Sequence, residues 1–308
     1  MAQTLILNFS FLFFLVTRVL SATFTLTNNC PNTIWPGLLS GAGTSPLDTT
    51  GFALQKDESK IVNVPTGWSG RLWGRTLCTQ DSSGKITCLT GDCGSGTLEC
   101  SGGGAAPPAT LAEFTLNGSG GLDFYDVSLV DGYNLPMLVV PQSDNCSTTG
   151  CVVDLNSVCP NELKVLASAD GSEVACKSAC EAFGEPMYCC SGAYGSPDTC
   201  KPSSYSEFFK HACPRAYSYA YDDGTSTFTC ASAIYVITFC PSMPTSKKAS
   251  QNLQAPDLPL YNSTMIFSGG SQVSGASPPG LAQLQIIGAI LAAGIWPFLQ
   301  MFCCLPFL

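Results

Sequence analysis

Short runs of alternating apolar and polar residues fill the middle of the chain. Phe24 to Thr27, Ile61 to Val64, Arg71 to Arg75, Leu111 to Leu116, Phe124 to Val130, Met137 to Val140 and Ile234 to Phe239 carry β-branched and aromatic residues in this pattern, and clusters of Gly, Pro, Asn and Asp part them. A period of two sends successive side chains to opposite faces of a strand, so each run predicts a strand with one buried face. Many short strands between turns predict a β-sandwich. Two segments break the pattern. Ser172 to Phe183 reads as a helix with Cys176 and Cys180 on one face, and Ser204-Tyr-Ser-Glu207 reads as a capping box that opens a helix to about Ala212. Both lie in or beside the cysteine-dense stretch from Cys146 to Cys213. The expected fold class is mainly β, a sandwich with an inserted disulfide-rich lobe containing short helices.

The alternation stops at both ends. Leu5 to Val16 is an apolar run too short for a stable membrane span, and Val19, Ser21 and Ala22 supply small residues for a signal peptidase, which predicts a signal peptide over 1–21 with cleavage after Ser21 or Ala22. Residues 242–280 are rich in Ser, Pro, Gly, Asn and Gln, too poor in apolar surface to offset their chain entropy, and read as a stalk. Between them, residues 22–241 form the folded domain. From Leu281 to Leu308 the polar side chains are three glutamines, and no Lys or Arg follows Lys248. A single-pass anchor would carry basic residues on its cytoplasmic side. Ser274-Gly275-Ala276, a spacer over Ser277 to Gln285 and an apolar block from Ile286 instead have the layout of a glycosylphosphatidylinositol (GPI) signal with attachment at Ser274. Ser268-Gly269-Gly270 is a second attachment point, and a retained transmembrane tail is the alternative, in which case Cys303 and Cys304 become palmitoylation sites.

Cysteine usage fixes the compartment. Sixteen of the 18 cysteines lie between Cys30 and Cys240, and paired zinc-type CxxC units are absent. An even set on an exported chain predicts eight disulfides in an oxidising space, with a connectivity that spacing leaves open. The net charge of −9 makes nucleic acid and anionic membrane surfaces poor partners and favours a neutral or cationic ligand.

The run Gly84-Lys-Ile-Thr-Cys88-Leu-Thr90-Gly91-Asp92-Cys93-Gly-Ser-Gly96-Thr-Leu-Glu-Cys100 resembles the signature of the plant thaumatin-like proteins, the osmotin and zeamatin family, with Ile86 where that family usually has Gly or Phe. Further matches are Asn28-Asn-Cys30-Pro31 with Trp35, Arg71-Leu-Trp73-Gly-Arg75-Thr76, Pro107-Pro108-Ala-Thr-Leu-Ala-Glu113-Phe114, Tyr125-Asp126, Asp131-Gly132-Tyr133-Asn134-Leu-Pro136-Met137, Tyr188-Cys189-Cys190 and Phe239-Cys240-Pro241. The resemblance implies the pairs Cys30–Cys240, Cys78–Cys88, Cys93–Cys100, Cys146–Cys230, Cys151–Cys213, Cys159–Cys176, Cys180–Cys189 and Cys190–Cys200. It also implies an acidic cleft between sandwich and lobe, built from Arg71, Glu113, Asp126, Asp131 and Asp222. Arg75 and Asp223 are the neighbouring alternatives at two of these positions, and spacing alone does not group the five.

Four carboxylates facing one cleft repel one another, so at least one should hold its proton while Arg71 keeps another ionised. On the resemblance, this is a secreted, cell-surface, pathogenesis-related defence protein with antifungal activity that binds β-1,3-glucan or a related wall polymer. Tyr125, Tyr133 and Phe124 are candidates to stack on sugar rings, each with a place in the core as the alternative. One alternative function is a weak endo-β-1,3-glucanase in which Glu113 protonates the leaving oxygen and Asp126 or Asp131 acts as nucleophile or base. A non-catalytic structural or signalling wall protein is the other. The expected protein is a monomer at the outer face of the plasma membrane and the wall, with no cofactor and no metal. His211, the one histidine, closes a helix and reads as structural. Asn117, Asn145 and Asn262 open Asn-x-Ser/Thr glycan acceptor sites.

Overall fold

Alternation sets the burial of the first strand: Ala22, Phe24, Leu26 and Asn28 are buried while Thr23, Thr25 and Thr27 are half-exposed. The structure, a computed structural model, describes residues 22–231 and 234–242. Its strands are β1 (Ala22–Asn28), β2 (Trp35–Ser40), β3 (Ser59–Val64), β4 (Ser69–Gln80), β5 (Ile86–Thr90), β6 (Leu111–Thr115), β7 (Asp123–Ser128), β8 (Met137–Pro141), β9 (Thr149–Cys151), β10 (Lys164–Leu166), β11 (Glu173–Cys176), β12 (Phe228–Cys230) and β13 (Ile234–Phe239). One of the two large sheets has the order β3-β1-β13-β8-β9, the other β12-β7-β6-β4-β2 with β5 folded back onto the far half of β4, and β10 pairs with β11 in a small third sheet. Between the sheets lies an aromatic core. Phe24 meets Phe114 at 4.5 Å between ring centres, Phe114 meets Tyr235 at 5.2 Å and Tyr125 meets Tyr235 at 5.3 Å. The buried Tyr235 hydroxyl donates to Asp123 Oδ2 at 2.7 Å, so its polar end is satisfied.

All seven strands expected from alternation are present, and Ile234–Phe239 has the expected bounds. The helix expected over Ser172 to Phe183 is not one element. Cys176 exchanges backbone hydrogen bonds with Tyr133, at 2.8 and 2.7 Å, and is bridged to Cys159, which holds Glu173–Cys176 extended as β11. The helix starts later, as α1 (Ala179–Phe183), because Ser178 caps it by accepting from the Glu181 N–H at 3.2 Å. Then come α2 (Pro186–Cys189), α3 (Ser204–Ala212) and α4 (Asp223–Ser226). The capping box of α3 is one residue earlier than expected. Ser203 and Ser206 bond reciprocally, at 3.1 and 2.8 Å, in place of Ser204 and Glu207.

The eight disulfides have the connectivity that the resemblance implies. Cys30–Cys240 ties the ends of the parallel neighbours β1 and β13 across 210 residues, a closure worth about 5 kcal/mol in the chain-entropy view. The lobe joins the sandwich at the end of β7, where Leu129 N–H donates to Tyr217 O and Tyr217 N–H to Val127 O, each at 2.8 Å. Among the described residues no helix is long and apolar enough to cross a membrane. The expected signal peptide, the stalk beyond residue 242, Asn262, the attachment point at Ser274 and the apolar tail lie outside the described residues.

Candidate acidic groove

Register places the charged residues. In the six-stranded sheet Leu39 pairs with Arg71, Arg71 with Glu113, and Glu113 with Asp126, so these residues form one transverse row. Directly opposed residues on neighbouring strands have Cβ atoms about 4.5–5.5 Å apart, close enough for their charges to interact strongly. Two residues along, Ser69, Thr115 and Phe124 make a second row. The residues between, among them Leu72, Ala112, Phe114, Tyr125 and Val127, point into the core. The outer face is therefore the polar one.

One end of that face is roofed and the other open. Trp73 is packed with Cys100, Ala109 and Leu111 in a second small core, and its indole N–H donates to Gly91 O at 2.8 Å. Arg75 is buried under the same roof, donating to Trp35 O at 2.9 Å and Leu98 O at 2.6 Å, so it is a structural residue and Arg71 is the arginine of the groove. Beyond the roof the groove has two adjoining parts. One, of about 470 Å³, is lined by Ser69, Arg71, Glu113, Thr115, Phe124 and Asp126 among others. The other, of about 390 Å³, shares Arg71, Glu113 and Asp126 and adds Asp131, Tyr217 and Asp223. Asp131 is held by a sharp turn. Gly132 has φ +81°, and a Cβ there would stand 2.6 Å from Pro108.

At the fifth position Asp222 is bound to Lys210 Nζ at 2.8 Å and accepts from the Ser218 N–H at 3.0 Å, while its neighbour Asp223, the alternative at that position, lines the groove and accepts from the Tyr217 hydroxyl at 2.8 Å. Of the aromatic candidates only Phe124 reaches the groove. Tyr125 and Tyr133 are fully buried, and their hydroxyls donate to Ser147 O and Val153 O.

Burial dominates the electrostatics. Asp126 is pushed up to about 8, first by desolvation and then by the charges of Glu113 and Asp223, and its buried Oδ1 has no hydrogen-bond partner. Glu113 is also raised by burial, which outweighs the opposing pull of Arg71, with Asp131 adding to the rise. A carboxyl not foreseen from sequence, outside the lining of either groove part, is coupled to Asp131 from the lobe. Glu181 on α1 is pushed up to about 7 by burial and by Asp131, against Lys177. No sequence pattern marks it, because it approaches from another element, whereas Ser69, Thr115 and Phe124 follow from Arg71, Glu113 and Asp126 by counting two along each strand. A larger groove of about 560 Å³ lies beside Trp35, Cys78 and Ile86, but its one carboxylate, Glu99, is occupied by the hydroxyls of Thr49 and Thr50 at 2.9 and 2.7 Å. It offers no acid–base pair. His211 sits on α3 with Nδ1 2.7 Å from Glu207 O, a local contact. Among the described residues no group of three or more His, Cys, Asp or Glu side chains could hold a metal ion.

A mainly β fold with eight disulfides and an acidic groove between sandwich and lobe defines a class, and the sequence matches the model of the thaumatin family over residues 28–241. The chain belongs to that family. It is 58% identical over 248 residues to a thaumatin-like protein 1 of Arabidopsis thaliana, covering 76% of this chain and 93% of the relative. It is 54% identical over 245 residues to pathogenesis-related protein 5 of the same plant, covering 78% of this chain and 100% of the relative. A Prunus avium protein described as a glucan endo-1,3-beta-glucosidase is 54% identical over 224 residues, covering 72% of this chain and 91% of the relative.

Proposed function

We propose that the groove binds β-1,3-glucan or a related neutral wall polymer, and that the protein serves plant defence with antifungal action. The observation that carries this is the transverse row Arg71–Glu113–Asp126, open to solvent between two adjoining groove parts, so that a chain can lie across it with units on both sides. Carboxyls there accept or exchange hydrogen bonds with sugar hydroxyls, and Phe124 offers a ring beside them. The names of the pathogenesis-related and glucosidase relatives support the same reading. Disulfide density supports an extracellular site of action. The proposal keeps the signal peptide over 1–21, the stalk, and a GPI anchor at Ser274, which would hold a monomer at the outer face of the membrane facing the wall. The test is retention of the purified protein on insoluble β-1,3-glucan. Glu113→Ala with Asp131→Ala should abolish retention with the fold intact by circular dichroism, and unchanged retention would refute the proposal. Release of the protein from intact membranes by phosphatidylinositol-specific phospholipase C tests the anchor, and recovery of protein still carrying Ile286 to Leu308 would refute it.

One observation favours a hydrolytic second reading. Glu113 and Asp126 are directly opposed cross-strand neighbours and both line the two parts of the groove, so a pair of carboxyls faces one site as glycoside hydrolysis requires. Both are raised, Asp126 to about 8, so a proton is held in the groove at neutral pH. Glu113→Gln should then keep binding and lose release of reducing sugar. A wild-type protein that releases none from soluble β-1,3-glucan at any acidic pH would rule this reading out.

A further inference from the structure

Two of the Asn-x-Ser sites lie among the described residues, and the fold gives them different neighbours. Asn145 is exposed in the loop before β9 and lines neither part of the groove. Asn117 is exposed in the turn between β6 and β7, with φ +50°. Its backbone N–H donates to Asp123 Oδ1 at 2.8 Å, which fixes the turn, and its side-chain amide makes no hydrogen bond among the described residues. A substituent on that amide displaces nothing the fold needs. The turn also rests on the groove wall: a Cβ at Gly118 would lie 3.1 Å from the ring of Phe124. Phe124, Thr115 and Ser69 form the row beside the carboxylates.

We infer that Asn117 carries an N-linked glycan, and that this glycan stands over the Phe124 end of the groove and limits how much polymer that end holds. In the transfer, Asn117 Nδ2 forms a bond to the anomeric carbon of an oligosaccharide carried on a lipid diphosphate. One amide proton leaves, and the carbon–oxygen bond to the diphosphate breaks. The acceptor motif and an exposed, unengaged amide satisfy the requirements on the protein side, and the disulfides place the chain in the secretory route where such transfer occurs. The left-handed backbone at Asn117 suits Asn better than most residues, so the sequon is best removed at its third position. The shielding effect rests on the polymer-binding reading above; the modification itself does not.

The full chain is produced in plant cells and its peptides are mapped by mass before and after treatment with an N-glycan amidase. The Asn117 peptide should carry glycan in the wild type and in Ser119→Thr, which keeps the motif, and none in Ser119→Ala. An unmodified Asn117 peptide in the wild type overturns the site. Retention on insoluble β-1,3-glucan is then compared with Ser147→Ala, which removes the Asn145 motif away from the groove. Ser119→Ala should raise retention several-fold and Ser147→Ala should leave it unchanged. Equal retention of wild type and Ser119→Ala overturns the shielding. No retention by any form overturns polymer binding and the shielding with it, while the mass map alone decides the modification.

Discussion

The sandwich and the cysteine-rich lobe are held together by different physics. In the sandwich, alternate residues of long strands meet in a continuous aromatic and aliphatic core, so shape follows from burial. In the lobe, helices of four to nine residues are too short to be stable alone, and five bridges, Cys146–Cys230, Cys151–Cys213, Cys159–Cys176, Cys180–Cys189 and Cys190–Cys200, hold them in place. The groove uses both regions. A rigid sheet supplies the charged row, and residues on or following lobe segments, Asp223 and Glu181, complete the electrostatic surroundings.

The difference can be broken from the sandwich side first. Phe24→Ala removes a fully buried ring at the centre of the aromatic cluster, and should cost about 3–5 kcal/mol, read as one cooperative shift in denaturant unfolding. Next, Cys159→Ala with Cys176→Ala opens a closure spanning 17 residues, with an expected cost of about 3 kcal/mol. Its signature should be local. Limited proteolysis should cut within the lobe while the sandwich persists, and a uniform loss of structure like that of Phe24→Ala would erase the distinction. Tyr235→Phe is milder. It leaves Asp123 Oδ2 without the hydroxyl that satisfies it, and should cost about 1–3 kcal/mol in the same unfolding measurement.

The remaining effect is on pH, and it sharpens the comparison at the groove itself. The folded protein holds a proton on Asp126 up to about pH 8, whereas the unfolded chain releases it near the ordinary carboxylate value of about 4. The folded state therefore binds more protons in that window, and stability should fall as pH rises through it, by at most about 1.4 kcal/mol per pH unit for one proton. Glu181, pushed up to about 7, adds a slope of the same sign from the lobe. Asp126→Asn should flatten the slope in thermal unfolding between pH 5 and 8 (about the span below the raised value of the buried Asp126), and an unchanged slope would mean that Asp126 titrates normally.

The same division governs what the sequence discloses. Strands such as β13 are plain because a half-buried face writes itself as alternation. The strand β2, Trp-Pro-Gly-Leu-Leu-Ser, escapes because Pro36, Gly37 and Leu38 are buried in succession under the roof and against the core. The three-residue strands β9, β10 and β12 are too short to show a period. In the lobe, Cys176 and Cys180 satisfy helical spacing, yet the bridge to Cys159 and the pairing with Tyr133 decide the backbone. At the site, alternation cannot separate Arg71 from Arg75, since both point to the outer face. What separates them is the covering loop that ends at the Cys93–Cys100 bridge, a tertiary fact. The choice between Asp222 and Asp223 likewise depends on Lys210, twelve residues away on another helix.

The parallel pairing of β1 with β13 also orders events during biosynthesis. The first of the described strands occupies an interior place in its sheet, and its neighbour on one side is the last of them to be made. Until then β1 exposes a hydrogen-bonding edge and the apolar face of Phe24 and Leu26, the kind of surface that chaperones cover. Cys30 meanwhile waits for a partner 210 residues downstream, as the cysteines of seven other bridges emerge between them. Premature partners for Cys30 must be exchanged before the sheet can close, so native pairing waits on thiol–disulfide exchange after Cys240 has emerged.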